Sequence, residues 1–101
     1  MRRPSNTHLN TLWIARQRVG LEQKSVALRL GHKTASTVSE YETGRIVPNL
    51  HTALKLAAIY RTPVEKLYAA LNAEVVAEVA RAEQKYGRSR VPRQFELYQL
   101  T

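Results

Sequence analysis

Apolar residues recur along this chain at helical spacing, and glycine and proline cut the pattern into helix-sized pieces. Leu9, Leu12, Trp13, Arg16 and Val19 share one face of a segment from about Asn6 to Val19, and Gly20 suits its C-terminal stop. A second segment, from about Glu22 to Leu30, turns Val26, Ala27 and Leu30 inward and stops at Gly31. His32 and Lys33 make the next turn, and Thr34 is positioned to cap a third helix. Val38 and Tyr41 are the inward pair of that helix, which closes at Gly44.

Beyond the loop RIVP, Asn49 can cap a fourth helix with Leu50, Ala53, Leu54, Ala57 and Tyr60 as its expected core positions. Thr62-Pro63-Val64-Glu65 has the form of a capping box with proline at the first helical position. It opens a fifth helix expected to hold Val64, Leu67, Tyr68 and Leu71. Asn72 breaks or punctuates the run into the next segment. From Ala73 to Tyr86 the pattern is again helical, with Val75, Val79, Ala82 and Tyr86 on one stripe. Glu74, Glu78, Arg81 and Lys85 surround that stripe, and Gly87 ends it. The last residues, RSRVPRQFELYQLT, form either a basic, aromatic tail or an arm for a partner. No strand-like alternation occurs, so the fold class is all-α. Residues 1–71 read as one compact domain and 72–101 as a C-terminal helix and tail.

Composition narrows the chemistry. A chain of 101 residues has room for one modest core, and 44% hydrophobic content is enough to build it. The absence of cysteine excludes a disulfide framework, a zinc finger and thiol catalysis, and fits a reducing cytoplasm. The opening MRRPSNTHLNTLWIARQR is not a signal peptide, since Asn10 and Thr11 interrupt its apolar run. No stretch reaches membrane-spanning length. His8, His32 and His51 lie far apart without acidic or thiol companions, and no serine has a His-acid neighbourhood. No metal, cofactor or enzymatic role is expected.

The formal net charge is +8, and every acidic side chain is a glutamate. Residues 1–45 hold eight basic and three acidic side chains, and the remainder holds eight and five. Such an excess draws a polyanion through counterion release at phosphates, although it is equally what a merely basic protein would show.

Placed together, Arg16, Gly20-Leu21, Gln23, Val26-Ala27, Leu30-Gly31, Ser36-Thr37-Val38-Ser39, Tyr41-Glu42, Gly44, Pro48, Leu54 and Leu56-Ala57 resemble the phage-repressor-like, or Xre-type, helix-turn-helix proteins. The resemblance spans roughly residues 9 to 70. It implies a lambda-repressor-like bundle of about five helices, in which the second and third read DNA. The turn after Gly31 is one residue longer than the common family form, with His32 the extra residue. Glu22 stands where the family usually has a capping hydroxyl.

Reading base edges requires short side chains on the exposed flank of the third helix. Opposite Val38 and Tyr41 the outward positions are Ala35, Ser36, Ser39 and Glu40, flanked by Thr37 and Thr43. Serine and threonine can bond several base edges, an alanine or threonine methyl can meet a thymine methyl, and Glu40 can accept from a cytosine amino group. By resemblance Ala35, Ser36 and Glu40 occupy base-reading positions, with Lys33, Thr34 and Thr37 beside them. Gln23 at the start of the second helix, and Ser39, Thr43 and Arg45 around the third, suit phosphate. Without the motif, all of these would pass as solvated surface. Lys24 and Arg29 face solvent on the second helix. Arg2, Arg3, Arg88, Arg90 and Arg93 are either arms for a groove or solvating charges.

The resemblance also pairs Arg16 with Glu42 as a partly buried salt bridge holding the third helix at a fixed angle. The expected function is sequence-specific recognition of double-stranded DNA by a homodimer, most simply as a bacterial or phage-type repressor in the cytoplasm, associated with the nucleoid. Half-sites would lie about one turn apart. Two rivals remain. One is an antitoxin-like module that captures a protein partner through its C-terminal segment, and the other is a DNA subunit without sequence preference.

Overall fold

The computed structural model describes residues 10–88, in which six helices and no strand occur. They are α1 (Leu12–Val19), α2 (Gln23–Leu30), α3 (Ser36–Thr43), α4 (Leu50–Tyr60), α5 (Val64–Leu67) and α6 (Ala69–Tyr86). The core is built from Leu12, Ala15, Val26, Ala27, Leu30, Val38, Tyr41, Leu56, Tyr60, Leu67 and Tyr68. Every helix from α1 to α5 contributes to it, so α1–α5 form one bundle. α2 packs on α3 and α4, α1 on the same two helices, and α4 on α5.

The first helix starts later than its apolar pattern suggests. Asn6 and Leu9 lie outside the described residues, while Asn10 and Thr11 are not helical. The physical reason is that their polar groups are engaged elsewhere. The buried Asn10 accepts from the Leu12 N–H at 3.0 Å through Oδ1 and donates from Nδ2 to the Tyr41 carbonyl at 3.0 Å. Thr11 donates its N–H to the Leu67 carbonyl at 2.9 Å and its hydroxyl to that of Lys66 at 3.1 Å. Asn10 thus ties the entry of α1 to the end of α3, and Thr11 ties it to α5.

Asn49 caps α4, its Oδ1 accepting from the Thr52 N–H at 2.9 Å. The inward face of that helix is Ala53, Leu56 and Tyr60, with Ala57 partly buried. Leu50 and Leu54, expected in the core, are 70% and 53% exposed. Apolar residues surround α4 on nearly every side, so periodicity alone offers two registers. Contact with α1 and α2 selects the one through Leu56.

Thr62 makes no capping box. Its hydroxyl donates back to the Tyr60 carbonyl at 2.9 Å, and Pro63 holds the N-cap position without a side-chain cap. Arg61, in left-handed geometry at φ 52°, closes α4 where a glycine would be easier. α5 then lasts only four residues, because Tyr68 leaves helical geometry to bury its ring. Leu71 and Asn72 therefore belong to α6, with the Asn72 N–H donating to the Tyr68 carbonyl at 2.8 Å. The residue 71/72 boundary falls inside a continuous helix. None of the residues of α6 is buried.

Candidate nucleic-acid interface

The pair α2–α3 is joined by a turn that depends on Gly31. At φ 85° it occupies the left-handed region, and the His32 N–H reaches back to the Ala27 carbonyl at 2.9 Å to satisfy the end of α2. Lys24 spans the turn, its ammonium donating to the Lys33 carbonyl at 3.3 Å. Thr34 does not cap α3. Ala35 holds the N-cap position, and the Thr34 hydroxyl shares a 2.9 Å hydrogen bond with that of Ser36. α3 begins at Ser36, so Thr34 lies before its first turn.

α3 presents two unlike sides. Val38, Tyr41 and Glu42 are buried, whereas Ser36 is exposed and Ala35, Thr37, Ser39 and Glu40 are half-buried. Lys33, Thr34 and Arg45 are exposed, and Thr43 is half-buried. The candidate base-reading positions thus lie in sequence along one accessible flank, its N-terminal end beginning with Lys33 and Thr34. At the other end Gly44, at φ 79°, turns the chain, and the Glu40 carbonyl accepts the N–H groups of Arg45 and Ile46 and the Thr43 hydroxyl. This fixes Arg45 at the exit of α3. Arg88 is exposed beyond α6, while Arg2, Arg3, Arg90, Arg93 and the aromatic tail fall outside the described residues.

Behind the flank, Arg16 of α1 meets Glu42 of α3 in a two-pronged ion pair. Nε donates to Oε2 at 2.5 Å and Nη2 to Oε1 at 3.1 Å. The remaining guanidinium nitrogen, Nη1, donates to the Leu21 carbonyl at 3.1 Å. The two residues are 7% and 1% exposed, so solvent scarcely screens the pair. The hydrogen bond to Glu42 is the main influence raising the Arg16 pKa above its ordinary value, against a smaller opposing effect of burial. Gln23, at the first turn of α2, donates its amide to the same Glu42 oxygen at 3.0 Å. One carboxylate therefore ties α1, α2 and α3 together.

Two structural roles gave no clear sequence signal. Asn10 interrupts an apolar run and looks like a defect until its two partners are seen. Gln23 has the residue type of a phosphate contact, but its amide is anchored inward by Glu42. Its backbone N–H still belongs to the open first turn of α2.

A short turn between two helices, a polar flank on the second and a buried clamp behind it define a helix-turn-helix unit on an all-helical bundle. A helix-turn-helix family model matches residues 14–67, and the chain belongs to this family of Xre-like proteins. It is a DNA-binding transcription regulator of the Xre type. Among characterised proteins no match to the chain was found. No described helix is long and apolar enough to cross a membrane.

Proposed function

We propose that this regulator reads double-stranded DNA sequence-specifically through the major groove with α3, and acts as a repressor on a two-fold symmetric operator. The observation that carries this reading is the accessible flank from Lys33 to Glu40, whose short side chains allow close approach to base edges. Ser36 is its most open member inside the helix. Ala35, Ser36 and Glu40 read bases, with Lys33, Thr34 and Thr37 alongside. Glu40 acts partly by rejecting sequences that offer it no donor. Ser39, Thr43, Arg45 and the N-terminal turn of α2 at Gln23 hold phosphates on either side. Arg16 and Glu42 keep α3 at its working angle.

One such unit covers only about half a turn of groove, so useful affinity calls for a dimer with half-sites about one turn apart. The exposed apolar stripe on α6 and the aromatic C-terminal segment are the candidate surfaces for it. An antitoxin-like reading would instead place a protein partner on the C-terminal segment, with QFELYQL as its candidate surface. A pull-down with the product of an adjacent gene separates the two.

Selection on random duplexes tests the proposal. The expected outcome is one enriched motif with two-fold symmetry. Ser36→Ala should relax preference at one base pair per half-site. Arg45→Ala should weaken all duplexes alike and lower the salt slope by about one per subunit. No enriched motif would remove the sequence-reading role of α3, and a base-specific loss from Arg45→Ala would remove its assignment to phosphate.

A further inference from the structure

α6 carries a charge pattern that a single copy leaves unused. Its apolar stripe, Leu71, Val75, Val79, Ala82 and Tyr86, follows the buried Tyr68 in the chain but is uncovered. Val75 is 47% exposed, Val79 52% and Tyr86 78%. Along one edge of that stripe run Glu74, Glu78, Arg81 and Lys85, which lie within about 60° of arc at helical spacing. Read from the N-terminal end, the edge is two negative charges followed by two positive ones.

Within one helix this order is unfavourable in part. Glu74 and Glu78 are like charges four residues apart, as are Arg81 and Lys85. Among the described residues none of the four belongs to an ion pair. The helix dipole favours Lys85 in the last turn but is too short-ranged to order the other three. Lys85 rests 5.2 Å above the Tyr86 ring, on the border of the apolar stripe.

Reversing a second copy of the same helix resolves the pattern. We infer that α6 pairs antiparallel with α6 of a second copy about a two-fold axis between Val79 and Ala80. In that register Glu74 faces the second copy's Lys85 and Glu78 faces its Arg81, giving four opposed pairs by symmetry. Leu71 then reaches toward the second copy's Tyr86, Val75 fits between its Ala82 and Tyr86, and the two Val79 side chains meet at the axis. A parallel pair would instead set this edge against Asn72, Val76 and Glu83, where Glu83 can meet Arg81 or Lys85 but Glu74 and Glu78 find no cation.

The inference rests on the dimeric reading above and specifies its partner and geometry. Residue 69 lies about 16 Å from the axis, so the two bundles attach about 30 Å apart. That is on the scale of one turn of B-DNA, about 34 Å.

Sedimentation equilibrium on the full chain tests the pairing, with circular dichroism to show that each variant folds. The chain should dimerise, and E74K/E78K or R81E/K85E should each raise the dissociation constant at least about tenfold. An equimolar mixture of these two variants should associate, and the quadruple exchange E74K/E78K/R81E/K85E should return the constant to within about threefold of the parent. A monomeric parent, undiminished pairing in either double variant, or failure of the quadruple exchange to restore it would each overturn the inference.

Orientation has its own readout, because the chain contains no cysteine. Val79→Cys should crosslink to itself under mild oxidation and Val75→Cys should not. Ready crosslinking of the latter would indicate a parallel pair and sink the proposal. Duplex selection with monomeric E74K/E78K reports the half-site alone. Loss of pairing with that motif retained leaves the role of α3 intact, whereas a dimer that enriches no motif counts against α3 alone.

Discussion

Replacing Arg16 by methionine removes the guanidinium while keeping much of its length, so it isolates the charge. Glu42 would lose its bonds from Nε and Nη2 and retain only the Gln23 amide, in a site where it is 1% exposed. The Leu21 carbonyl would also lose its donor. Breaking one side of a buried ion pair costs about 3–5 kcal/mol, because the remaining charge has neither solvent nor partner. A domain of this size is stable by about 5–10 kcal/mol, so roughly half of that margin would disappear. At about 4–8 °C per kcal/mol, the melting temperature should fall by at least about 12 °C.

Urea unfolding followed by circular dichroism at neutral pH measures the loss. The companion variants Glu42→Leu and Arg16→Met/Glu42→Leu close the cycle. The double variant should be more stable than Arg16→Met, since it leaves no stranded charge. A single-variant loss below about 1 kcal/mol, or simple additivity of the two losses, would refute the buried-clamp reasoning. The orientation role is separable. Well below its melting point, Arg16→Met should still bind duplex but with blurred preference across the half-site. Unchanged selectivity there would leave the clamp a purely stabilising device.

Asn10→Ala deletes two buried hydrogen bonds that join α1 to α3, and should cost about 1–3 kcal/mol in the same unfolding assay; a change under about 0.5 kcal/mol would deny Asn10 its tying role. Leu56→Ala should cost about 2–5 kcal/mol, whereas Leu54→Gln should stay within about 0.5 kcal/mol, and the reverse order would mean that α4 is in the other register. Arg61→Gly should raise stability by up to about 1 kcal/mol, by relieving the left-handed backbone at the end of α4; destabilisation would show that its side chain matters more than its φ. Alkaline titration tests the buried tyrosines. Burial, and then Tyr41, pushes the Tyr68 phenol up to about 12, and burial followed by Glu42 also raises Tyr60. Because the fold favours their neutral forms, their contribution is complete below the unfolded value near 10. It is lost as pH rises through 12 for Tyr68. Phenolate absorbance at these two residues should therefore rise together with unfolding, and ionisation near pH 10 in an intact fold would contradict their burial.

The chain's own pattern determined that the described residues would be helical, where α2 and α3 turn at Gly31 and Gly44, and which flank of α3 carries short polar side chains. These features depend on neighbours in sequence: helical spacing, a glycine able to adopt positive φ, and the cap at Asn49. Only tertiary structure decided the register of α4, because Leu50, Leu54 and Leu56 are equally apolar and the surfaces of α1 and α2 chose among them. It also ended α5 at Leu67 by burying Tyr68, and drew Thr62 and Thr34 away from the caps their positions suggested. Asn10 and Gln23 joined the network around α1 and α3 through contacts 31 and 19 residues distant in the chain, where no local rule could assign them. Local energetics choose the element, but a polar group's partner is settled when the elements meet and unmet hydrogen bonds must be satisfied.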